Sequence, residues 1–267
     1  MKTSFRNKVA VITGAGAGIG QALAVAMAHE GARLALSDID AAGLARTQAL
    51  LPAGTEVRTY RLNVTDEAAV FAHAAEVQRD FGAAHLLFNN AGSALLGTFD
   101  NQTLDEARWL IDLDLWSVVY CTKAFLPAMR QQNEGWIVNI SSIAGLIGMP
   151  GLNTYNLVKF AVRGLTESLW AELEGSGIQA VCVHPGGIKT NIERASRHCQ
   201  KAGAIEERVD AANKRILVTP PEQCAADIIN GLKAGKRRIL TGKRSSTIDW
   251  IARLLPNAYP RLINALL

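Results

Sequence analysis

Tyr155 and Lys159 lie four positions apart, so on a helix a phenol and an ammonium share one face. The cation favours the phenolate and pulls the phenol down from its ordinary value of about 10. Such a group can give and take a proton near neutral pH. A second feature stands near the start of the chain, where ITGAGAGIG (residues 12–20) carries glycines at 14, 16, 18 and 20. A loop so bare, placed between a strand and a helix, turns backbone amides and a helix N-terminus toward whatever lies above it, and a pyrophosphate suits that place. Each feature alone has an ordinary explanation: YxxxK pairs occur on exposed helices, and glycine runs make tight turns.

The elements that must position these groups are legible along the chain. Short apolar or β-branched runs (KVAVIT, RLALSD, EVRTYRLN, HLLFNN, GWIVNIS, IQAVCVHP and RRILTG) alternate with segments of helical period. Ile19, Leu23 and Met27 fall on one helical face that His29-Glu30-Gly31 terminates, and Thr103 with Glu106 has the spacing of a capping box. Strand and helix in strict alternation predict a parallel sheet covered on both faces. The glycine run follows the first strand and opens the first helix, which makes it a phosphate cradle.

Composition narrows the function. The chain has 267 residues, 49% hydrophobic and 19% charged, enough for one large α/β core. The formal charge of +4 is dispersed. Its densest run, Lys236-Arg237-Arg238, lacks interleaved aromatics and reads as the solvated start of a strand rather than a nucleic-acid surface. Cys121, Cys182, Cys199 and Cys224 are far apart with no CxxC pair, so neither a metal site nor a disulfide framework is expected, and a cytoplasmic location fits. The run after the first basic residues is too short for a secretion signal.

Taken together, Thr13, Gly14, Gly18, Ile19 and Gly20, Asp38 at a strand end, Asn90-Ala91-Gly92 and Tyr155-x-x-x-Lys159 resemble the compact single-domain branch of the short-chain dehydrogenase/reductase family, over roughly residues 7–242. The resemblance implies a Rossmann-type, doubly wound sheet of seven parallel strands and hydride transfer between a nicotinamide cofactor and an alcohol or carbonyl compound. Ser142 is similar to the family's carbonyl-polarising serine, with Ser141 the lesser candidate. Tyr155 then moves the proton, and Lys159 also holds the nicotinamide ribose. Asp38 can accept hydrogen bonds from both adenosine ribose hydroxyls and repels a 2′-phosphate, so NAD is expected over NADP. Capping of the following helix is its plainer role. Asn63 and Val64 resemble the adenine-flanking pair, the asparagine using its carbonyl oxygen. Pro185, Gly186, Ile188 and Thr190 resemble the segment that meets the nicotinamide carboxamide.

Two positions depart from the family pattern. Asp114 stands where an asparagine usually completes the proton relay. It lies among Ile111, Leu113, Leu115, Trp116 and Val118, a helix apolar nearly all round and therefore expected to be buried. Such a carboxylate must pair with Lys159 or carry a proton. The second departure, Asn156-Leu157-Val158, lies inside the YxxxK motif.

The expected substrate wall is Ser93, Leu95, Leu96, Leu146, Met149, Gly187 and Ile192, which points to an uncharged hydrophobic secondary alcohol or ketone. Residues 1–244 are expected to form the catalytic domain, with a mobile lid at about 187–218. Residues 245–267 are expected to form a helical tail that packs on the domain or on a neighbouring subunit, in preference to lying on a membrane. Leu157, Phe160, Ala161 and Gly164 suit a homodimer or homotetramer contact. The alternatives are an NADP-dependent carbonyl reductase, or an NAD-binding sensor disabled by Asp114.

Overall fold

The computed structural model describes residues 3–190, 196–199 and 203–266. All seven apolar runs are strands of one sheet: β1 (Val9–Thr13), β2 (Arg33–Asp38), β3 (Val57–Arg61), β4 (Leu86–Asn89), β6 (Gly135–Ile140), β7 (Ile178–Pro185) and β9 (Arg238–Thr241). They are parallel throughout, in the order β3-β2-β1-β4-β6-β7-β9. The chain winds outward from β1 to β3, then returns to the other side of β1 as β4. That reversal opens a crevice above the carboxyl ends of β1 and β4, the place where such sheets bind ligands.

Alternation along β1 divides the core into two layers. Ala10 and Ile12 join Leu23, Met27, Phe88, Val181 and Ile228 on one face. Val9 and Val11 join Val77, Phe125, Met129 and Ile137 on the other. The covering helices are α1 (Gly18–His29) and α8 (Pro221–Lys233) on the first layer, and α3 (Glu67–Phe81), α5 (Ser117–Gln132) and α6 (Asn153–Glu172) on the second. Helices α2 (Ala41–Ala49), α4 (Leu104–Ile111) and α7 (Ala204–Ile216) complete the body. The Thr103–Glu106 capping box is present at the start of α4, with both reciprocal hydrogen bonds.

The helix carrying Asp114 differs from the expectation. Between α4 and α5 the chain makes a π turn, Asp112–Trp116, a wider turn found mostly at functional sites. Asp114 is fully buried while Trp116 is 46% exposed and Leu113 and Leu115 are half-buried. The segment is therefore two-sided rather than buried all round.

The lid segment is held in place along its described part. Strand β8 (Arg197–His198) pairs in parallel with β5 (Leu95–Leu96) in a separate two-stranded sheet. Glu206 of α7 is buried and accepts hydrogen bonds from Thr98 N at 2.7 Å, Gly203 N at 3.0 Å and Asn101 Nδ2 at 3.0 Å. Those bonds, led by Asn101 and Thr98, hold its carboxyl down at about 2.

The tail forms α9 (Ser245–Leu254) and α10 (Tyr259–Leu266). Asp249 anchors α9 through ion pairs with Arg238 and Arg253. Lys236 and Arg237 are exposed ahead of β9, Arg237 pairing with Glu174 at 2.7 Å.

Candidate active site

The crevice is a cleft of about 470 Å³ that runs from Asp38 at one end to Ser142 and Tyr155 at the other. Its floor is the glycine loop. Helix α1 begins at Ala17, an extended residue whose side chain caps nothing, and no acid stands in its first turn. The first amides of the helix are thus left for an external anion. Gly14 adopts φ +66°, and a Cβ there would come within 2.8 Å of Ala91 Cα. A Cβ on Gly20 would overlap the Gly14 carbonyl oxygen. Gly18, at φ +57°, faces Thr190 across the cleft. Gly14 and Gly20 are bare because a Cβ there would strike the backbone at Ala91 or within the loop; that close packing leaves the amides of the loop and helix start facing the cleft, so these residues fit a dinucleotide.

Asp38 closes the far end. Its Oδ2 accepts from Gly16 N at 2.8 Å and its Oδ1 from Asp40 N at 2.9 Å. The N-cap of α2 is Asp40, so Asp38 is not the capping residue and remains on the cleft wall, beside the exposed Ile39. Thr13 is buried away from the cleft. Its hydroxyl donates to Phe88 O at 3.2 Å and accepts from Asn90 N and Ala91 N at 3.0 Å each, which locks β1 to β4. Asn90 Nδ2 donates to Thr13 O at 2.9 Å and Gly14 O at 3.2 Å, which fixes the loop from the other side. Asn63 does not offer its carbonyl oxygen outward as expected. That oxygen accepts from Thr65 N at 3.1 Å and Thr65 Oγ1 at 2.9 Å, an Asx turn, and Leu62 and Val64 line the cleft instead.

At the reactive end the two serines have separate roles. Ser141 Oγ donates to Lys159 O at 2.8 Å and is spent on holding α6. Ser142 Oγ accepts from Ala144 N at 3.1 Å and lines the cleft together with Tyr155. Lys159 Nζ lies 5.5 Å from the Tyr155 ring centroid, donates to Ile140 O at 3.3 Å and pairs with Asp114 Oδ2 at 2.8 Å. Asp114 Oδ1 accepts from Ser93 N at 2.8 Å. The buried carboxylate has therefore found its partner.

The electrostatics correct one expectation. Burial holds the Tyr155 phenol above its ordinary value; Lys159 opposes this, Asp114 adds to it, and the neighbouring Ser142 hydroxyl opposes it. The ammonium does not win, because it is shared with a carboxylate in a dry site. Burial also acts to depress Lys159, but Asp114 and Tyr155 outweigh it and the net displacement is upward. Asp114 is raised by burial against the pull of Lys159. The resting phenol is thus protonated, suited to donating a proton to a carbonyl oxygen.

Of the expected substrate wall, Ser93 and Gly187 line the cleft. Leu95 is buried with Leu110 and Val158, and Leu96 and Met149 pack into a second small core with Leu152 and Val209. Leu146 is buried, and Ile192 lies outside the described residues. The apolar wall is made by Trp109, Leu113 and Leu217. Trp109 and Leu113 are four positions apart and so share one helical face, the signal that could have found them. Pro185, Ile188 and Thr190 line the cleft, while Gly186 packs against Ile143 behind it. In the altered YxxxK motif, Asn156 Nδ2 donates to Met149 O at 2.8 Å, Leu157 is exposed and Val158 enters the core.

Residues 8–201 match the family model described as short chain dehydrogenase. The chain belongs to the short-chain dehydrogenase/reductase family. Across 268 residues it is 43% identical to a protein of Mycobacterium tuberculosis named SadH, covering 98% of this chain and 96% of that one. It is 39% identical over 184 residues to the 3-alpha-(or 20-beta)-hydroxysteroid dehydrogenase of Mycobacterium bovis, covering 68% and 70%. Its fold matches that of a family member from Burkholderia phymatum solved in complex with NAD, with TM-score 0.88, 32% identity and coverage of 97% and 96%. As a member of this family the chain is an oxidoreductase that uses a nicotinamide cofactor.

Proposed function

We propose that the protein interconverts an uncharged, hydrophobic secondary alcohol and its ketone, with NAD as hydride carrier. One arrangement carries this reading: a phenol that lines the cleft with Ser142 and is set beside the Lys159 ammonium, in a cleft whose other end is the Asp38 carboxylate. A bound nicotinamide ring supplies the carbon that gives or takes hydride. Ser142 and Tyr155 hold the substrate oxygen, and Tyr155 moves its proton. Lys159, pinned by Asp114 and Ile140 O, stabilises the phenolate formed on donation. Trp109, Leu113 and Leu217 exclude water and receive the apolar body of the substrate, and no arginine or lysine other than Lys159 lines the described cleft. A similar hydroxysteroid dehydrogenase supports the substrate class.

A binding-only role is disfavoured, because Asp114 pairs with Lys159 without drawing it away from Tyr155. Cys121, Cys182 and Cys224 are buried thiols outside any disulfide, which accords with a reducing cytoplasm. A homo-oligomer through the exposed Leu157 and Phe160 face of α6 completes the proposal.

Preference for NAD rests on Asp38. In Asp38→Asn protein the ratio of kcat/KM for NAD over NADP falls by about tenfold, the equivalent of roughly 1.4 kcal/mol of lost charge repulsion. A ratio equal to that of the wild type would refute the assignment.

A further inference from the structure

The tail presents apolar side chains that the domain does not cover. Trp250 is 60% exposed and Leu254 70% exposed, one turn apart on the outer face of α9, and Leu255 and Leu262 continue the surface. The inner face of the same helix is occupied by Ser245 and the ion-paired Asp249. The exposed charge along this segment is of one sign. Lys243, Arg244, Arg253 and Arg261 are exposed, and the sole acid between positions 243 and 262 is Asp249, buried and neutralised by Arg238 and Arg253. Among the described residues no carboxylate pairs with Lys243, Arg244 or Arg261.

An outward Trp and Leu on a segment with exposed, unpaired cations is the composition of a helix that lies in a bilayer interface, its ring and aliphatic chain among the acyl ends and its cations on anionic headgroups. A second copy of the chain would bring the same cations face to face, with no exposed acid in the tail to meet them. We propose that α9 and α10 seat the protein on a membrane surface rich in anionic lipid. Helix α10 also touches the catalytic domain, where the Tyr259 hydroxyl accepts from Gly148 N at 3.1 Å, in the loop that follows Ser142. The seat is thus tied to the segment beside the reactive residues. No described helix is long and apolar enough to cross a membrane, so the contact is peripheral. The inference stands independently of the catalytic reading.

The test is sedimentation of purified full-length protein with vesicles of phosphatidylcholine alone or mixed with phosphatidylglycerol. Wild-type protein pellets with the mixed vesicles and is released by high salt. Trp250→Ser/Leu254→Ser and Arg244→Glu/Arg261→Glu proteins each partition more than about tenfold less. Both pairs are exposed, so the variants retain the wild-type circular dichroism spectrum and turnover of a water-soluble alcohol. Absence of wild-type protein from the anionic pellet overturns the proposal. So does gel filtration showing that Trp250→Ser/Leu254→Ser dissociates an oligomer while vesicle binding is unchanged, since a second copy would then cover the patch.

Discussion

Tyr155→Phe protein is expected to turn over alcohol at least about a thousandfold more slowly than wild type, within the range by which a positioned acid or base accelerates a reaction. The substitution removes one oxygen. The ring remains packed against Leu95, Leu110 and Val158, so the fold survives, and the glycine loop and Asp38 are untouched. Cofactor affinity, read by quenching of tryptophan fluorescence, should stay within about threefold of wild type. This combination separates loss of chemistry from loss of binding. Turnover within tenfold of wild type would mean that the proton leaves by another route.

The second large effect concerns stability. Lys159 is 7% exposed and Asp114 fully buried, and breaking a buried pair by deleting one partner costs about 3–5 kcal/mol because the remaining charge is stranded. Asp114→Ala protein should therefore melt roughly 10 °C lower, with the Ser93 amide also left without an acceptor. Asp114→Asn protein, which keeps an oxygen acceptor, should lose much less. Its rate carries a further signature. Asp114 raises the phenol; removing that negative charge eases formation of the phenolate, and alcohol oxidation requires the phenolate as base. The rising limb of its pH–rate profile should consequently move to lower pH. An Asp114→Ala melting point equal to wild type, or an unmoved Asp114→Asn profile, would show that the carboxylate does not govern Lys159.

Much of this site was legible before any coordinates, for identifiable reasons. Central strands announce themselves by unbroken apolar runs when both faces of a sheet are covered, and the edge strand β3, VRTYR, by its β-branched and aromatic residues between exposed arginines. Gly14 and Gly20 were visible because backbone contact tolerates no side chain. Asp114 was suspect because a carboxylate amid leucines demands a partner. What escaped depended on depth and register. The net upward displacement of Tyr155 comes from desolvation and a third charge, which a YxxxK spacing does not contain. The π turn at Asp112–Trp116 changes hydrogen bonding without changing apolar periodicity. The two-residue pairing of Leu95–Leu96 with Arg197–His198 is far too short to leave a pattern, and the side chains of both leucines are buried in small cores rather than on the expected substrate wall. The turn at Asn63 was readable from the threonine two positions later, whose hydroxyl and amide compete for the oxygen expected to meet adenine.

The central claim is direct passage of hydride from a substrate carbon to the nicotinamide ring, over a cleft that ends in Tyr155. It is tested by supplying NAD with secondary alcohols deuterated at the carbinol carbon, cyclohexanol and a 3-hydroxysteroid among them, and by weighing the reduced cofactor by mass spectrometry. With wild-type protein the reduced cofactor is expected to gain one deuteron from at least one alcohol, and with Tyr155→Phe none in the same time. Reduced cofactor that forms without label, or a panel of apolar secondary alcohols that yields none while NAD binds, would contradict it.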